Sequence, residues 1–285
     1  MSTSDVVISP EFAPSRIGRL LRSELSLVFK RRRNIALLIA LACAPLLIGI
    51  AVEVAAPSEG GEGPPFLSLI AQNGLFLAFT ALVVSLPLFM PLAVSVVSGE
   101  SVAGEASIGT LRYVLTVPVS RLRLLLVKYA AIAVYALVAA LVVAGVGILV
   151  GSLLFPIGPV PLLSGDVLPY STALVRALLV ALYVGAMLAG VAAIGLFIST
   201  LTEVPLGAMA ATAAVCVVAQ ILDAIPQLSW LHDWLFSHWW LAFGDLLRTP
   251  VVYDDVGRGL LTQAAYIVVF FSLAWARFTT RDVTS

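Results

Sequence analysis

Lysine is almost missing from this sequence. Of 285 residues only Lys30 and Lys128 carry an ammonium group, and neither follows a glycine. The phosphate-binding pattern G-x-x-x-x-G-K-[ST] therefore does not occur, so the chain by itself is no P-loop ATPase. Charge of any kind is scarce, at 11% of residues against 61% hydrophobic, where soluble domains run at about 25% charged and roughly 45–50% apolar. That balance excludes an ordinary soluble domain. The formal net charge of zero leaves no overall field to recruit nucleic acid. The two cysteines, Cys43 and Cys216, both fall inside apolar runs, which argues against a disulfide framework and for small core residues.

The apolar runs hold almost no ionisable residue away from their ends; Glu53 and Arg176 sit near boundaries. Proton-coupled and many ion-coupled carriers place Asp, Glu, His or Arg within the membrane, and intramembrane hydrolases need a nucleophile with a base or a metal cluster. Neither set is here, so no catalytic residue and no cofactor of the chain's own are expected. Sodium held by backbone carbonyls keeps an ion-driven carrier open as an alternative.

What the sequence does have is length of hydrocarbon. Six apolar runs, at 35–54, 66–97, 122–155, 174–199, 204–225 and 260–278, each approach or exceed the roughly 20 helical residues that cross a bilayer. The second and third are long enough, at about 1.5 Å per residue, to extend beyond the hydrocarbon. Pro87 and Pro91 are predicted to kink the second. The expected fold class is an all-α integral membrane protein, a single permease-like domain over 1–285 with six transmembrane helices.

Charge sets the orientation. The first 34 residues are polar and end in Lys30, Arg31, Arg32 and Arg33, a stop against translocation without a cleavable signal. With this end inside, thirteen of the sixteen Lys and Arg are cytosolic, while Glu53, Glu59, Glu62, Asp166, Asp223, Asp233, Asp245, Asp254 and Asp255 lie outside. The N-terminal 1–34 and the tail 279–285 are then both cytoplasmic. Within 16–29, Arg16, Arg19 and Arg22 recur at helical spacing between Ile17, Leu20, Leu21, Leu25 and Val28. This reads as an amphipathic helix on the inner membrane surface, with a disordered basic tail as the alternative.

The outer segment 225–258 carries Trp230, Trp234, Trp239 and Trp240, four of the five tryptophans, rings that prefer the headgroup level. One or two short helices dipping into the outer leaflet are expected, as an anchor or as a lid. His232 and His238 flank Asp233 in the same segment, but six residues apart on a helix they point to different faces, so no metal site is expected. Gly145, Gly147 and Gly151 form a small-residue stripe with one G-x-x-x-G, a spacing that permits close helix packing.

Between the second and third runs lies a charged insert, 98–121. Ser101, Glu105, Ile108 and Arg112 follow helical spacing, which places Glu105 and Arg112 on one face projecting into the cytosol. Gly109 and Thr110 interrupt the helix and Pro118 ends it. A short bent rod and a solvated loop fit the composition equally.

The run from Glu100 through Glu105, then Gly109, Thr110 and Leu111, Leu115, then Pro118, Val119, Ser120 and Arg121, and finally Lys128, resembles the E-x-x-x-G-T-L…P-[VI]-S-R…K segment of ABC-2 type transporter permeases. The stretch 199–202 before 205–208, the stretch 238–250 and the tail 277–282 resemble actinobacterial-style members of that family. The resemblance implies a half-transporter of type V exporter architecture in a bacterial plasma membrane: two six-helix subunits, identical or related, with two separate ABC ATPase subunits that bring ATP and magnesium. It implies an elbow helix bearing Arg16, Arg19 and Arg22, and short re-entrant helices at 226–247. It also implies a coupling helix at 100–117, with Glu100, Glu105, Gly109, Thr110, Leu111, Arg112, Pro118 and Arg121 engaging the ATPase. The cargo implied is hydrophobic or amphipathic: a drug, natural product or lipid-like molecule. Membrane lipids are further partners, and nucleic acid is not one. Gln72, Asn73, Thr80, Tyr135, Tyr183 and Gln220 read equally as cargo contacts and as helix-packing hydrogen bonds. A non-transporting anchor or sensor that recruits a cytosolic protein through the same insert remains the alternative from another class.

Overall fold

The computed structural model describes residues 15–55, 65–107, 109, 120–161 and 165–280. Helix α1 (Ser15–Lys30) is followed after Arg31 by α2 (Arg32–Ala55). Asn34 fixes this corner: its amide Nδ2 donates to Val28 O at 2.8 Å, and its own carbonyl accepts from Tyr135 Oη at 3.1 Å.

The second apolar run is not one helix. It forms α3 (Pro65–Gln72), α4 (Leu75–Ser85) and α5 (Phe89–Glu100), with α4 and α5 meeting at 57°. Pro87 lies in that break, where its missing N–H and its ring interrupt the ladder. Gln220 Nε2 donates to the Pro87 carbonyl. Pro91, expected to kink the chain too, falls in the first turn of α5, where proline costs little; only one of the two prolines bends the run. A break at Asn73 and Gly74 was not foreseen. There Asn73 Oδ1 accepts from Leu75 N at 3.0 Å, and Nδ2 donates to Gly158 O at 2.9 Å.

The short α6 (Ala103–Ser107) begins the insert, and Gly109 follows with φ +70, a left-handed conformation that glycine adopts without a steric cost. Helix α7 (Arg121–Leu154) starts at Ser120, whose Oγ accepts from Arg123 N at 3.4 Å. Its 34 residues span about 51 Å, well beyond a hydrocarbon core of about 30 Å. A two-stranded antiparallel ladder, β1 (Val160–Pro161) with β2 (Val167–Leu168), leads to α8 (Tyr170–Leu201). Then come α9 (Pro205–Asp223), a 3-10 turn (Pro226–Leu228), α10 (Ser229–His232), a 3-10 helix (His238–Leu247) and α11 (Asp254–Thr280).

Five helices, α2, α7, α8, α9 and α11, are long and apolar enough to cross a membrane, and the bent pair α4–α5 makes up to six. The chain is therefore an all-α, multi-pass membrane protein. Helix α8 is its centre, packed against α5, α7, α9 and α11, with Val184, Met187, Leu188 and Val191 inaccessible to solvent. Lipid tails are as apolar as leucine, so close packing rather than water exclusion holds such helices together. Small residues supply that closeness. A Cβ on Gly151 would lie 2.0 Å from Gly74 O, and one on Gly147 would lie 2.6 Å from Ala78 Cα, so α4 and α7 touch backbone to backbone.

Candidate functional site

The ends of the helices gather the chain's sparse charge into a connected cluster. Lys128, about two turns into α7, has its side chain only 2% exposed; its Nζ lies 2.5 Å from Glu105 Oε1 on α6 and 3.4 Å from Glu24 Oε1 on α1. A buried ammonium is tolerable only when paired and hydrogen-bonded, and the two carboxylates come from two different helices that both precede it in sequence. Glu100, the last residue of α5, accepts from Arg33 and lies 2.6 Å from Arg31 Nη1. Three cations and three carboxylates thus join α1, α2, α5, α6 and α7. All of them but Arg33 line a cavity of about 30 Å3 together with Asn34 and Ser101, room for about one water.

Uncharged contacts extend the cluster. Ser199, near the end of α8, accepts from Val102 N (3.1 Å) and Ala103 N (2.9 Å) and donates to Gly99 O (2.7 Å). One hydroxyl thus ties the α5–α6 junction to α8. Gly99 abuts the backbone of α9, where a Cβ would meet Met209 N at 2.6 Å. Arg121 Nη1 donates to Phe278 O (3.1 Å) and Thr279 O (2.8 Å), satisfying carbonyls at the end of α11 that no further helical turn would reach. The start of the insert and its end are therefore tied to α2 through Glu100, to α7 through Glu105, to α8 through Ser199 and to α11 through Arg121, and they pack on α9 at Gly99.

Among the residues expected to engage a partner, Glu100, Glu105 and Arg121 come together at this end, joined by Gly109 close by in the chain. The expectation that Glu105 projects into solvent is corrected: α6 turns its carboxylate inward to Lys128, and the side chain is 16% exposed. Thr110, Leu111, Arg112 and Pro118 lie outside the described residues. Arg19 and Arg22 are exposed on α1; Arg16 falls in its first turn, with its side chain outside the described part. Sequence reasoning missed Ser199, Glu24 and the burial of Lys128. A lone lysine seven residues inside a hydrophobic run was the available signal.

At the opposite end of α9, 19 residues or about 28 Å away, the tryptophan-rich segment is tied down by hydrogen bonds from the core. Tyr183 Oη donates to Trp239 O (2.7 Å), Gln263 Nε2 to Phe236 O (2.6 Å), Tyr266 Oη to Trp234 O (3.0 Å), and Arg176 to the carbonyls of Leu246 and Arg248. Trp239 and Trp240 are buried, while Trp230 and Trp234 are more than 70% exposed. The premise that His232 and His238 face apart on one helix is corrected: α10 ends at His232 and a separate 3-10 helix starts at His238. The two rings come to 5.6 Å, and His238 Nδ1 lies 2.6 Å from Asp223 Oδ1. Asn73, Tyr135, Tyr183 and Gln220 all hydrogen-bond to the backbone, as packing residues do.

On the flank of the bundle, α2 and the α4–α5 bend enclose an apolar groove of about 370 Å3, lined by Leu37, Leu41, Leu47, Val84, Phe89 and Leu92. Fold and site together define a multi-pass helical membrane protein whose two clusters of charged groups, among the described residues, sit at opposite ends of the bundle. Residues 59–284 match the family described as protein of unknown function (DUF2705), and the chain belongs to that family. No curated protein matches it.

Proposed function

We propose that this chain is the membrane subunit of an ATP-driven exporter, an ABC-2 type permease that works as a dimer with separate ATPase subunits carrying ATP and magnesium. The observation that carries the reading is the wiring of the insert: Glu100, Glu105, Ser199, Gly99 and Arg121 join it to α1, α2, α7, α8, α9 and α11. A push on the insert is delivered to the whole bundle at once, which is what coupling to a motor requires. In this reading Glu100 and Glu105 transmit force inside the permease, and the exposed turn after Ser107 meets the ATPase.

The six-span layout follows with it. Gly49 in α2 packs on Leu77 of α4, and Glu100 at the end of α5 pairs with Arg31 and Arg33 before and in the first turn of α2. The bent pair thus runs antiparallel to α2 along much of its length, which supports counting it as a span. Helix α1 serves as the elbow, the segment from Pro226 to Leu247 as the re-entrant cap, and both termini are cytoplasmic in a bacterial plasma membrane. The apolar groove supports a hydrophobic or amphipathic cargo, since nothing charged lines it.

The test is a gentle-detergent pull-down of the tagged chain from its native membrane, with mass spectrometry and an ATPase assay on the eluate. A stoichiometric P-loop ATPase is expected, and Glu105→Gln or Arg121→Ala should reduce the coupled ATPase activity in a protein that still inserts. Recovery of the intact chain with no ATPase, under conditions that preserve a known ABC complex, would replace this reading with an anchor or an ion-driven carrier.

A further inference from the structure

We propose that Asp223, His232 and His238 form a binding site for a divalent transition-metal ion of the zinc type, at the end of the bundle remote from the charged insert. One ligand atom from each of the three lies within 4.8 Å of the others, and all three side chains are half-buried. Zinc bonds of about 2.0–2.2 Å place tetrahedral ligands roughly 3.4 Å apart, so occupation asks the widest separation to close by up to about 1.4 Å and the Asp223–His238 contact to open by about 0.8 Å, in side chains that remain partly in solvent. Asp223 Oδ1 and His238 Nδ1 already approach to 2.6 Å, a contact that needs a shared proton; the metal takes that proton's place. A water supplies the fourth position, while Asp233 Oδ1 lies 3.9 Å from His238 Nε2, on the far edge of that ring from the ion.

The environment suits the chemistry. A carbonyl only accepts, so His232 Nε2, 3.1 Å from Ile225 O, carries its proton there and leaves Nδ1 as the lone-pair nitrogen. Such a backbone bond is how ligating imidazoles are oriented. Two imidazoles and one carboxylate favour zinc or copper over calcium or magnesium, which take oxygen ligands. The ligands belong to three separate pieces of chain: the last residue of α9, the last of α10 and the first of the 3-10 helix. A bound ion therefore clips the tryptophan segment to α9, adding to the tyrosine and glutamine bonds that already hold it on α8 and α11. The site stands independently of the exporter reading.

The test uses the full-length protein in detergent, purified without a histidine tag and stripped of metal. Zinc binding is measured by competition with a fluorescent zinc indicator, and the melting temperature is measured with and without zinc. One zinc per chain is expected, with a zinc-dependent rise in Tm. His232→Ala, His238→Ala and the isosteric Asp223→Asn are each expected to weaken binding by more than about tenfold and to abolish the rise, while the metal-free Tm identifies any variant that has failed to fold. Absence of zinc binding by the wild type, or unchanged affinity in Asp223→Asn together with either histidine variant, overturns the proposal.

Discussion

Lys128 is the residue on which the charged end turns. Its ammonium is buried, so its stability depends on Glu105 and Glu24 standing where they do. Removing one member of such a group leaves uncompensated charge behind, at a cost of about 3–5 kcal/mol. Lys128→Met keeps the volume of the side chain and deletes only the charge, so a large drop in the melting temperature of the solubilised protein is expected. Adding Glu105→Gln to Lys128→Met should restore part of the loss, because it removes one stranded carboxylate. A double-mutant cycle should give a larger coupling for Lys128 with Glu105, at 2.5 Å, than with Glu24, at 3.4 Å. A Lys128→Met protein as stable as the wild type would mean that the ammonium is solvated and the cluster carries no structural weight.

At the scale of elements, the α4–α7 crossing separates glycines that pack from glycines that merely recur. Gly145, Gly147 and Gly151 look alike in sequence, yet a Cβ on Gly145 meets nothing within 4 Å while one on Gly151 strikes the Gly74 carbonyl. Overpacking typically costs about 1–3 kcal/mol, and here the obstacle is backbone that no rotamer change can clear. Gly151→Ala should therefore lower the melting temperature of the purified protein markedly. Gly145→Ala should leave it unchanged or raise it slightly, since alanine is the better helix former by about 1 kcal/mol. Equal effects would dissolve the distinction. The same contrast shows what was legible in the sequence. The six apolar runs all became helices because hydrocarbon length is a local signal, and α1 appeared where its basic residues recur at helical spacing. The Gly74 break, the inward turn of Glu105 and the meeting of His232 with Asp223 were hidden. Each is decided by a partner distant in sequence or by a helix ending early, and the spacing rule used for the histidines assumed a continuity that the chain does not keep.

For the whole molecule, the unequal ends make a claim about orientation. One end holds the paired cluster of Glu24, Arg31, Arg33, Glu100, Glu105 and Lys128, with Arg19, Arg22, Arg121 and Arg277 along it; the other holds the exposed Trp230 and Trp234 and the acids Asp166, Asp223 and Asp233. Arginine and lysine are retained on the cytoplasmic side during insertion, whereas acidic residues contribute little. The cluster end should thus face the cytoplasm and the tryptophan end the exterior. Ser107 is exposed beside the cluster and Val167 is exposed in the ladder between α7 and α8, so single cysteines at these two positions report on the two ends. Cys43 is exposed on α2 and is replaced by alanine; Cys216 is buried and can stay. In intact cells a membrane-impermeant maleimide should label Val167→Cys, and it should label Ser107→Cys only after the membrane is opened. The reverse pattern would put the insert outside, beyond the reach of any ATPase, and the exporter reading would fall with it. A bent pair α4–α5 that enters and leaves on one side, leaving five spans with the N-terminus inside, would give that same reverse pattern, whereas labelling of both positions in intact cells would mean that α7, the long apolar helix between them, does not cross the membrane.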